Sequence, residues 1–351
     1  MINVLVTAAG GGGHGAQILK ALSLASPSKY RLYCADAAPI KSGKFGVSKW
    51  FKLPFANNAN YMDELINLCM EENIRVVFHG CEQELLVFSK NRKEFSRRDI
   101  LVPMNSERII DVCLDKSKTN QILLNNGFVM PKSRKVTCLN DISTIDWFPV
   151  VVKPYVGGGG SSDVYIAQNE TELKAIWDYV GSQDITSRFI VQEYVGDPMN
   201  EYTVGVLHDL GGNYLNSVAV HRDLKNTLSV KCSVKNRTNR SELGEKLVIS
   251  SGISQGKIGR FPDVTEPCKE LACAMRSQGP LNFQCRLVGS KVYIFEINPR
   301  LSGTTSLRAM IGLNEPDILI RRHLMHESIP VDEEYEHCSI SRMIEEYKNE
   351  Y

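Results

Sequence analysis

No apolar run in this 351-residue chain approaches the roughly 20 residues that a membrane-spanning helix requires. Net charge is equally scarce, with 41 Lys and Arg against 40 Asp and Glu. That balance gives no reason to invoke nucleic acid or an anionic membrane as partner. Ten cysteines are present without one Cys-x-x-Cys pair, which removes the commonest zinc and redox spacings. Cys34, Cys69, Cys113 and Cys273 sit inside apolar runs, where a thiol packs as a small hydrophobe. Reduced thiols in a cytoplasmic protein are the expectation. The seven histidines lack metal-ligand spacing; His14 lies in a glycine loop and the others read as incidental. No positively charged segment precedes the first strand, so no secretory leader is expected. A Ser/His/Asp or Cys/His pattern that would mark a side-chain nucleophile is also missing.

What remains is an ordinary globular composition, with length for two or three domains at about 150 residues each. Ile2–Thr7 reads as a buried strand, followed by the glycine loop Gly10–Gly15 and helical apolar spacing over Ala16–Leu24. Tyr30–Ala35 is a second strand ending at Asp36. Met62, Leu65, Ile66, Cys69 and Met70 mark an amphipathic helix, and Val76–His79 the next strand. Strands alternating with helices predict a parallel sheet that binds ligands at its carboxyl edge.

Beyond residue 105, Ser106–Asn126 reads as one helix with Ser106 as N-cap and Gly127 as C-cap. Strands and a polar linker fill Lys135–Val152, and a helix begins at Asn169 in an Asn-x-x-Glu arrangement similar to a capping box. Phe189–Glu193 and Tyr202–Leu207 are strands, the second turning through Leu210–Asn213 toward Tyr214. Asp223–Ser241 is polar and basic, without clear periodicity. Glu266–Gly279 reads as helix, and Leu281–Arg286 with Lys291–Asn298 as the last hairpin. The expected division is a domain over 1–105, a second over 106–330 with a lid near 130–195, and a charged, peripheral extension over 331–351.

The glycine loop satisfies G-x-G-x-x-G between a strand and a helix, and Asp36 lies where a dinucleotide-binding carboxylate would. A run of glycines meets that pattern by default, however, and a dehydrogenase leaves the rest of the chain's polar motifs unexplained. The loop could still hold a substrate phosphate or carboxylate at the helix N-terminus.

The most informative motif is the strand end Glu296-Ile297-Asn298-Pro299-Arg300. Side chains alternate along a strand, so Glu296, Asn298 and Arg300 share a face. Hard oxygens beside a fixed guanidinium are what a Mg²⁺–triphosphate needs, though an edge strand with a solvated polar face shows the same pattern. Other pieces precede it: Lys116 early in a helix with Lys118 as a competing cation, Lys153 at a strand end, and the loop Gly157–Ser162. Then come Gln192-Glu193-Tyr194-Val195, Glu201 and Gln284. Four successive glycines cost backbone entropy that only mobility or close approach to a ligand would offset. Lys153 read alone is also a solvated loop lysine, and Glu193 and Glu201 ordinary strand-end carboxylates.

This succession resembles the ATP-grasp superfamily over roughly residues 1–330, closest to the carbamoyl-phosphate-synthase-like branch of carboxylate–amine ligases. The resemblance implies an α/β chain: a Rossmann-like parallel-sheet domain followed by a two-lobed, α+β ATP-grasp domain with a mobile lid. It implies ATP and Mg²⁺ as cofactors, with Mn²⁺ able to substitute. Lys116 and Lys153 would approach the ATP phosphates, Lys153 reaching toward the α-phosphate and adenine. Gly158, Gly159, Gly160 and Ser161 would close over the β- and γ-phosphates through backbone N–H groups. Glu193 and the Val195 backbone would read the adenine edge, and Glu201 would accept hydrogen bonds from the ribose. Gln284, Glu296 and Asn298 would hold the metal. The glutamine departs from the Asp or Glu commoner in the superfamily, although the carbamoyl-phosphate-synthase branch shares it. Arg300 would stabilise the transferring γ-phosphoryl and the acyl phosphate, which makes Arg300 and Lys153 the catalytic candidates.

Small-molecule carboxylate and amine substrates are implied, and a homodimer is compatible with the class. The acceptor would lie between the first domain and the turn Pro299–Thr305, whose N–H groups could hold a carboxylate or phosphate. Arg222, Lys231, Lys235 and Arg237 read equally as substrate contacts or as a solvated loop. The N-terminal pattern and Gly80–Leu85 look like stand-alone ligases of surface-polysaccharide or peptide-like metabolite pathways, pointing to a sugar acid or an amino acid. Phosphorylation of bicarbonate is the neighbouring alternative. A non-catalytic nucleotide-binding module is the distant one, disfavoured because Lys153, Glu296, Asn298 and Arg300 are all in place.

Overall fold

Val4 and Val6 face one side of β1 (Ile2–Thr7) and Leu5 the other, and each face has its own core. The computed structural model describes residues 1–11, 13–25, 29–38, 44–154, 163–181 and 189–344. β1 is flanked in parallel by β2 (Tyr30–Asp36), with β3 (Val47–Lys52) beyond it, and on its other side by β4 (Val76–Phe78). Leu5 and Val77 pack against Leu65 and Phe88, from helices Tyr61–Glu71 and Glu82–Lys90. Val4, Val6 and Phe78 pack against Ile18 and Leu19 of helix His14–Ser23. That second core also takes in Leu301 and Ile320, from the far end of the chain. β3 was not foreseen: an exposed edge strand carrying Lys49 and Lys52 gives little apolar signal.

Two glycines bring the loops at the carboxyl edge of this sheet together. A Cβ on Gly80 would lie 2.1 Å from the Thr7 carbonyl oxygen and 2.9 Å from the Cα of Gly15. His14 and His79, the residues just before these glycines, are held close by the same contact.

The expected helix over Ser106–Asn126 is broken. Ser106 does cap its first half, Glu107–Leu114, but Asp115 leaves helical geometry and caps a second helix, Lys116–Asn125, accepting from the amides of Ser117 and Lys118. An aspartate is better satisfied as an N-cap than in a helix interior. The break puts Lys116 at the first position of the new helix.

A four-stranded antiparallel sheet follows, from β5 (Ser133–Lys135), β6 (Val150–Pro154), β7 (Tyr165–Ala167) and β8 (Phe189–Glu193), in the order β5-β8-β6-β7. Val150, Val152 and Val191 join Leu173 of helix Glu170–Gly181 in a core of its own. As expected, Asn169 caps that helix, accepting from the Glu172 amide at 2.9 Å.

The largest sheet is antiparallel and six-stranded. Its strands are β9 (Glu201–His208), β10 (Tyr214–Arg222), β13 (Gly256–Gly259), β14 (Pro280–Val288), β15 (Lys291–Asn298) and β16 (Cys338–Ile340), in the order β15-β14-β9-β10-β13-β16. Between β10 and β13 the chain makes a ribbon of β11 (Val230–Lys235) and β12 (Lys246–Ser250). Val230, Cys232 and Val234 alternate there with Lys231, Ser233 and Lys235, a period-two signal inside the segment read as aperiodic. Helix Pro262–Ala274 starts earlier than expected, because Pro262 suits the first helical turn.

The tail after Pro330 is not peripheral. β16 completes the large sheet, and Arg342 bonds to Gln17, the Ser254 carbonyl and the Gly303 carbonyl. Of the cysteines, Cys34, Cys69 and Cys113 are buried as expected, whereas Cys273 is exposed. Among the described residues, no helix is long and apolar enough to cross a membrane.

Gly80→Ala drives a methyl group into rigid backbone rather than into a flexible side chain. It should cost at least about 2 kcal/mol in urea-induced unfolding, or prevent folding. An unchanged midpoint would mean that the two loops are not held as described.

Candidate active site

Residues of β6 and β8 on one side and of β14 and β15 on the other line a cleft of about 830 Å³ of unfilled space, part of it open to solvent. Lys116, Lys153, Glu193, Val195, Glu201, Gln284 and Glu296 all line it. A second recess continues from it, bordered by Glu82, Lys116, Lys153, Glu296 and Asn298. Strand register explains the gathering: Gln284 lies directly opposite Glu296, and Asn282 opposite Asn298. Gly158, Gly159, Gly160 and Ser161 lie outside the described residues.

The Lys153 ammonium donates to Gln192 Oε1 at 2.7 Å and to the Phe295 carbonyl at 3.4 Å. Burial pushes its pKa down to about 8, the nearby Lys116 adds to that shift, and Glu296 opposes it. Burial also lowers Lys116, with Glu296 and Glu82 opposing. Two ammonium groups are thus held close in a poorly solvated pocket. The Glu296 carboxylate meets no donor among the described residues.

At the wall of the cleft, Glu201 is held by two arginines. Its Oε1 accepts from Arg222 at 3.1 Å, and its Oε2 from Arg286 Nε and Nη2 at 3.1 and 3.0 Å. Glu201 is 1% exposed, Arg222 3% and Arg286 6%. Arg286 also donates to the carbonyls of Val195, Gly196 and Val248, and stacks on the Tyr194 ring at 4.5 Å. The triad therefore holds the hinge backbone that follows β8. Among the described residues, the Val195 N–H meets no acceptor.

Arg222 is consequently buried structure, with further bonds to Ser250 and the carbonyls of Ser251 and Ile253, not an acceptor contact. Arg237 pairs with Glu172 at 2.6 Å, and the Lys235 carbonyl accepts from Gln168, so this end of the ribbon clasps the lid. Lys231 lies exposed on the same ribbon. Glu193 pairs with Arg240 at 3.1 Å. Arg240 and Arg286 were not singled out from the sequence. A signal for Arg286 existed: it stands two residues after Gln284 on β14, so both side chains reach the same face.

On the far side of the recess, Arg300 donates to Glu82 at 2.9 Å, to Asn298 Oδ1 at 3.3 Å and to the Leu301 carbonyl at 3.2 Å. Burial first, then the Arg300 charge, pushes His14 down to about 2 and His79 down to about 4, so both are neutral. The contact between their two loops places them there. Within the turn after Arg300, Ser302 N–H bonds to Thr305 Oγ1, Thr304 N–H to Ser302 Oγ and Thr305 N–H to the Ser302 carbonyl. Asp36 holds the glycine loop, accepting from the amides of Gly10 at 2.7 Å and Ala38 at 2.8 Å.

A family model described as ATP-grasp in the biosynthetic pathway with Ter operon matches residues 246–345, and one described as PylC-like, N-terminal domain matches 4–104. No curated protein matches the sequence. Among solved structures, a biotin carboxylase from Campylobacter jejuni in complex with β,γ-ATP superposes with a TM-score of 0.62 at 16% identity, over 91% of this chain and 70% of that one. An L-amino acid ligase from Bacillus licheniformis gives 0.60 at 16%, over 92% and 74%. The biotin carboxylase domain of a Hydrogenobacter thermophilus 2-oxoglutarate carboxylase, bound to MgADP and bicarbonate, gives 0.60 at 14%, over 91% and 68%. The chain has the ATP-grasp fold. Identities this low establish the fold alone, and the cleft between the four-stranded and six-stranded sheets is the candidate site.

Glu201→Ala leaves two buried guanidiniums without their anion and should cost about 3–5 kcal/mol in denaturant unfolding. Glu193→Ala, which breaks a partly exposed pair, should cost less than about 1 kcal/mol. Equal, small losses would show that Glu201 is not a structural anchor.

Proposed function

We propose that this protein is an ATP-dependent carboxylate–amine ligase working through an acyl phosphate, with ADP and phosphate as products. One observation carries the reading. Two desolvated lysines, the Glu296 carboxylate and the amides Gln284 and Asn298 converge in one cleft and its adjoining recess, beside a backbone N–H at Val195 that meets no acceptor among the described residues.

In this reading the Val195 N–H and the hinge carbonyls take the adenine edge, while the hydrophobic walls Val151, Val248 and Ile249 enclose the ring. Lys116 and Lys153 offset phosphate charge as point cations. Among the described residues, no group of three or more His, Cys, Asp or Glu side chains could hold a metal ion. A dedicated cage is therefore not what these residues build. One carboxylate, Glu296, with the amide oxygens of Gln284 and Asn298, fits a Mg²⁺ that arrives with nucleotide phosphates. When bound, that ion supplies charge neutralisation along the triphosphate. Arg300 stands at the end of the same strand, where its guanidinium stabilises charge on the transferred phosphoryl group. A substrate carboxylate attacks the γ-phosphorus and releases ADP; an amine then attacks the acyl carbon and expels phosphate. This chemistry needs no side-chain nucleophile. Position, charge and exclusion of water suffice.

The acid, an amino acid or a sugar acid of a polysaccharide or metabolite pathway, meets the amine in the recess beside Glu82. Free thiols and ATP dependence fit a cytoplasmic enzyme. ADP release with Mg-ATP, measured across a matrix of acids and amines, tests the reading. Release that requires one of each is expected, whereas release with bicarbonate alone would move the assignment to carboxyphosphate formation.

Glu296→Ala should abolish turnover while leaving the fold intact; unchanged turnover would remove Glu296 from the metal set. Lys153 loses its charge as pH rises through about 8. Nucleotide affinity, measured by titration calorimetry, should therefore fall about tenfold between pH 7 and pH 9. Lys153→Arg, which stays charged, should flatten that profile.

A further inference from the structure

Gln284 and Asn298 would each give the metal a carboxamide, and a carboxamide has a right and a wrong way round. Its oxygen ligates a cation, whereas its NH₂ group only donates. The two ends have nearly the same shape, so the hydrogen bonds of the group decide which end faces the site. Asn298 has such a bond: Arg300, which can only donate, reaches its Oδ1 at 3.3 Å. The Gln284 carboxamide lines the cleft and has no partner among the described residues.

Thr203 stands next to it. Gln284 lies directly opposite Thr203 in the pairing of β14 with β9, and directly opposite Glu296 in the pairing with β15. Opposed residues of an antiparallel pair share a face, with Cβ atoms about 4.5–5.5 Å apart. That face is the one turned to the cleft, which Glu201 and Gln284 line, while Tyr202, Val204, Phe283 and Cys285 point into the core on the other side. Thr203 is 3% exposed, and its Oγ1 is sealed from solvent without a partner among the described residues. Its opposite number on β10 is Val220, which has nothing to bond. A buried hydroxyl left alone costs free energy that valine, of the same shape and equally suited to a strand, does not. A carboxamide without a partner and a hydroxyl without a partner are therefore neighbours on one face.

We propose that Thr203 is a positioning residue for the metal set: its Oγ1 accepts from Gln284 Nε2 and so turns Gln284 Oε1 toward the ion. The proposal rests on the ligase reading and adds one residue to it. A glutamate at 284 would present two equivalent oxygens and would need no such partner. Glutamine brings one negative charge fewer and has to be held the right way round. Thr203 acts only through Gln284.

The test titrates Mn²⁺ into the full chain carrying a non-hydrolysable ATP analogue, with protein in excess over analogue, and follows free Mn²⁺ by electron paramagnetic resonance. Thr203→Val should weaken Mn²⁺ binding by about 10-fold, the loss expected when a metal ligand's outer partner is removed. Thr203→Ser, which keeps the hydroxyl, should stay within about twofold of the unaltered protein. In a Gln284→Glu background, Thr203→Val should change Mn²⁺ affinity by less than about twofold, because the two positions are then uncoupled. The urea midpoint of Thr203→Val, measured without metal or nucleotide, should be unchanged or higher.

Unchanged Mn²⁺ affinity in Thr203→Val overturns the proposal. An equal loss in the glutamine and glutamate backgrounds does so too, since Thr203 would then act by packing alone. A lowered urea midpoint overturns it by showing that the hydroxyl already serves the fold. In all three cases binding of the ATP analogue leaves the ligase reading standing. If the analogue does not bind at all, the ligase reading falls and takes this one with it.

Discussion

Leu301 and Ile320 insert into the core formed by β1, β4 and helix His14–Ser23, and the geometry of the site follows from that docking. Burying a leucine side chain contributes about 2 kcal/mol. Its larger effect here is positional. Arg300 precedes Leu301, so the residue that leaves the large sheet is delivered to the N-terminal domain beside Glu82. The tail then fastens the joint from outside, through Arg342 to Gln17 and Gly303. The four-stranded sheet, the large sheet and the N-terminal domain each supply residues to the cleft or its recess, and none of them contains the site alone.

Buried charge is the second ordering principle. Glu201 between two arginines, and Arg308 against Glu315 at 2.9 Å with Asn282 at 2.7 Å, are both almost fully removed from water. Such groups add little net stability over apolar packing, because desolvation offsets most of the attraction. Losing one member is costly, however, so they enforce a single arrangement of the strands that carry them. β14 carries both Asn282 and Arg286, and between them stands Gln284. The candidate metal-facing strand is thus pinned on either side of its functional residue.

Much of this was legible in the sequence wherever one residue type has one favourable use. Alternating apolar strands, Ser106 and Asn169 as caps, and the Leu210–Asn213 turn all encode local preferences, and the structure shows each of them. Glu296 and Asn298 could be aligned in advance by strand periodicity, whereas Gln284, on the neighbouring strand, was joined to them only through the family resemblance. Partner choice was illegible. Nothing in the sequence distinguishes a Glu201 that reads a ribose from one that neutralises Arg222 and Arg286, since that depends on strands 21 and 85 residues away. The same holds for Asp115, whose role as a cap competes with helix continuation by about 1 kcal/mol. β16 and the ribbon of β11 and β12 are short, half-exposed strands, and their signal is correspondingly weak.

The shared core has a consequence for biosynthesis. As the polypeptide leaves the ribosome, residues up to 105 can build the parallel sheet and cover one face with helices Tyr61–Glu71 and Glu82–Lys90. The opposite face receives helix His14–Ser23 but lacks Leu301 and Ile320 until some two hundred further residues have been added. At about 5–20 residues per second that interval lasts roughly 10–40 s. An apolar surface waits uncovered throughout it, a natural docking place for a chaperone and the point at which a truncated transcript would yield an aggregating fragment instead of a stable domain.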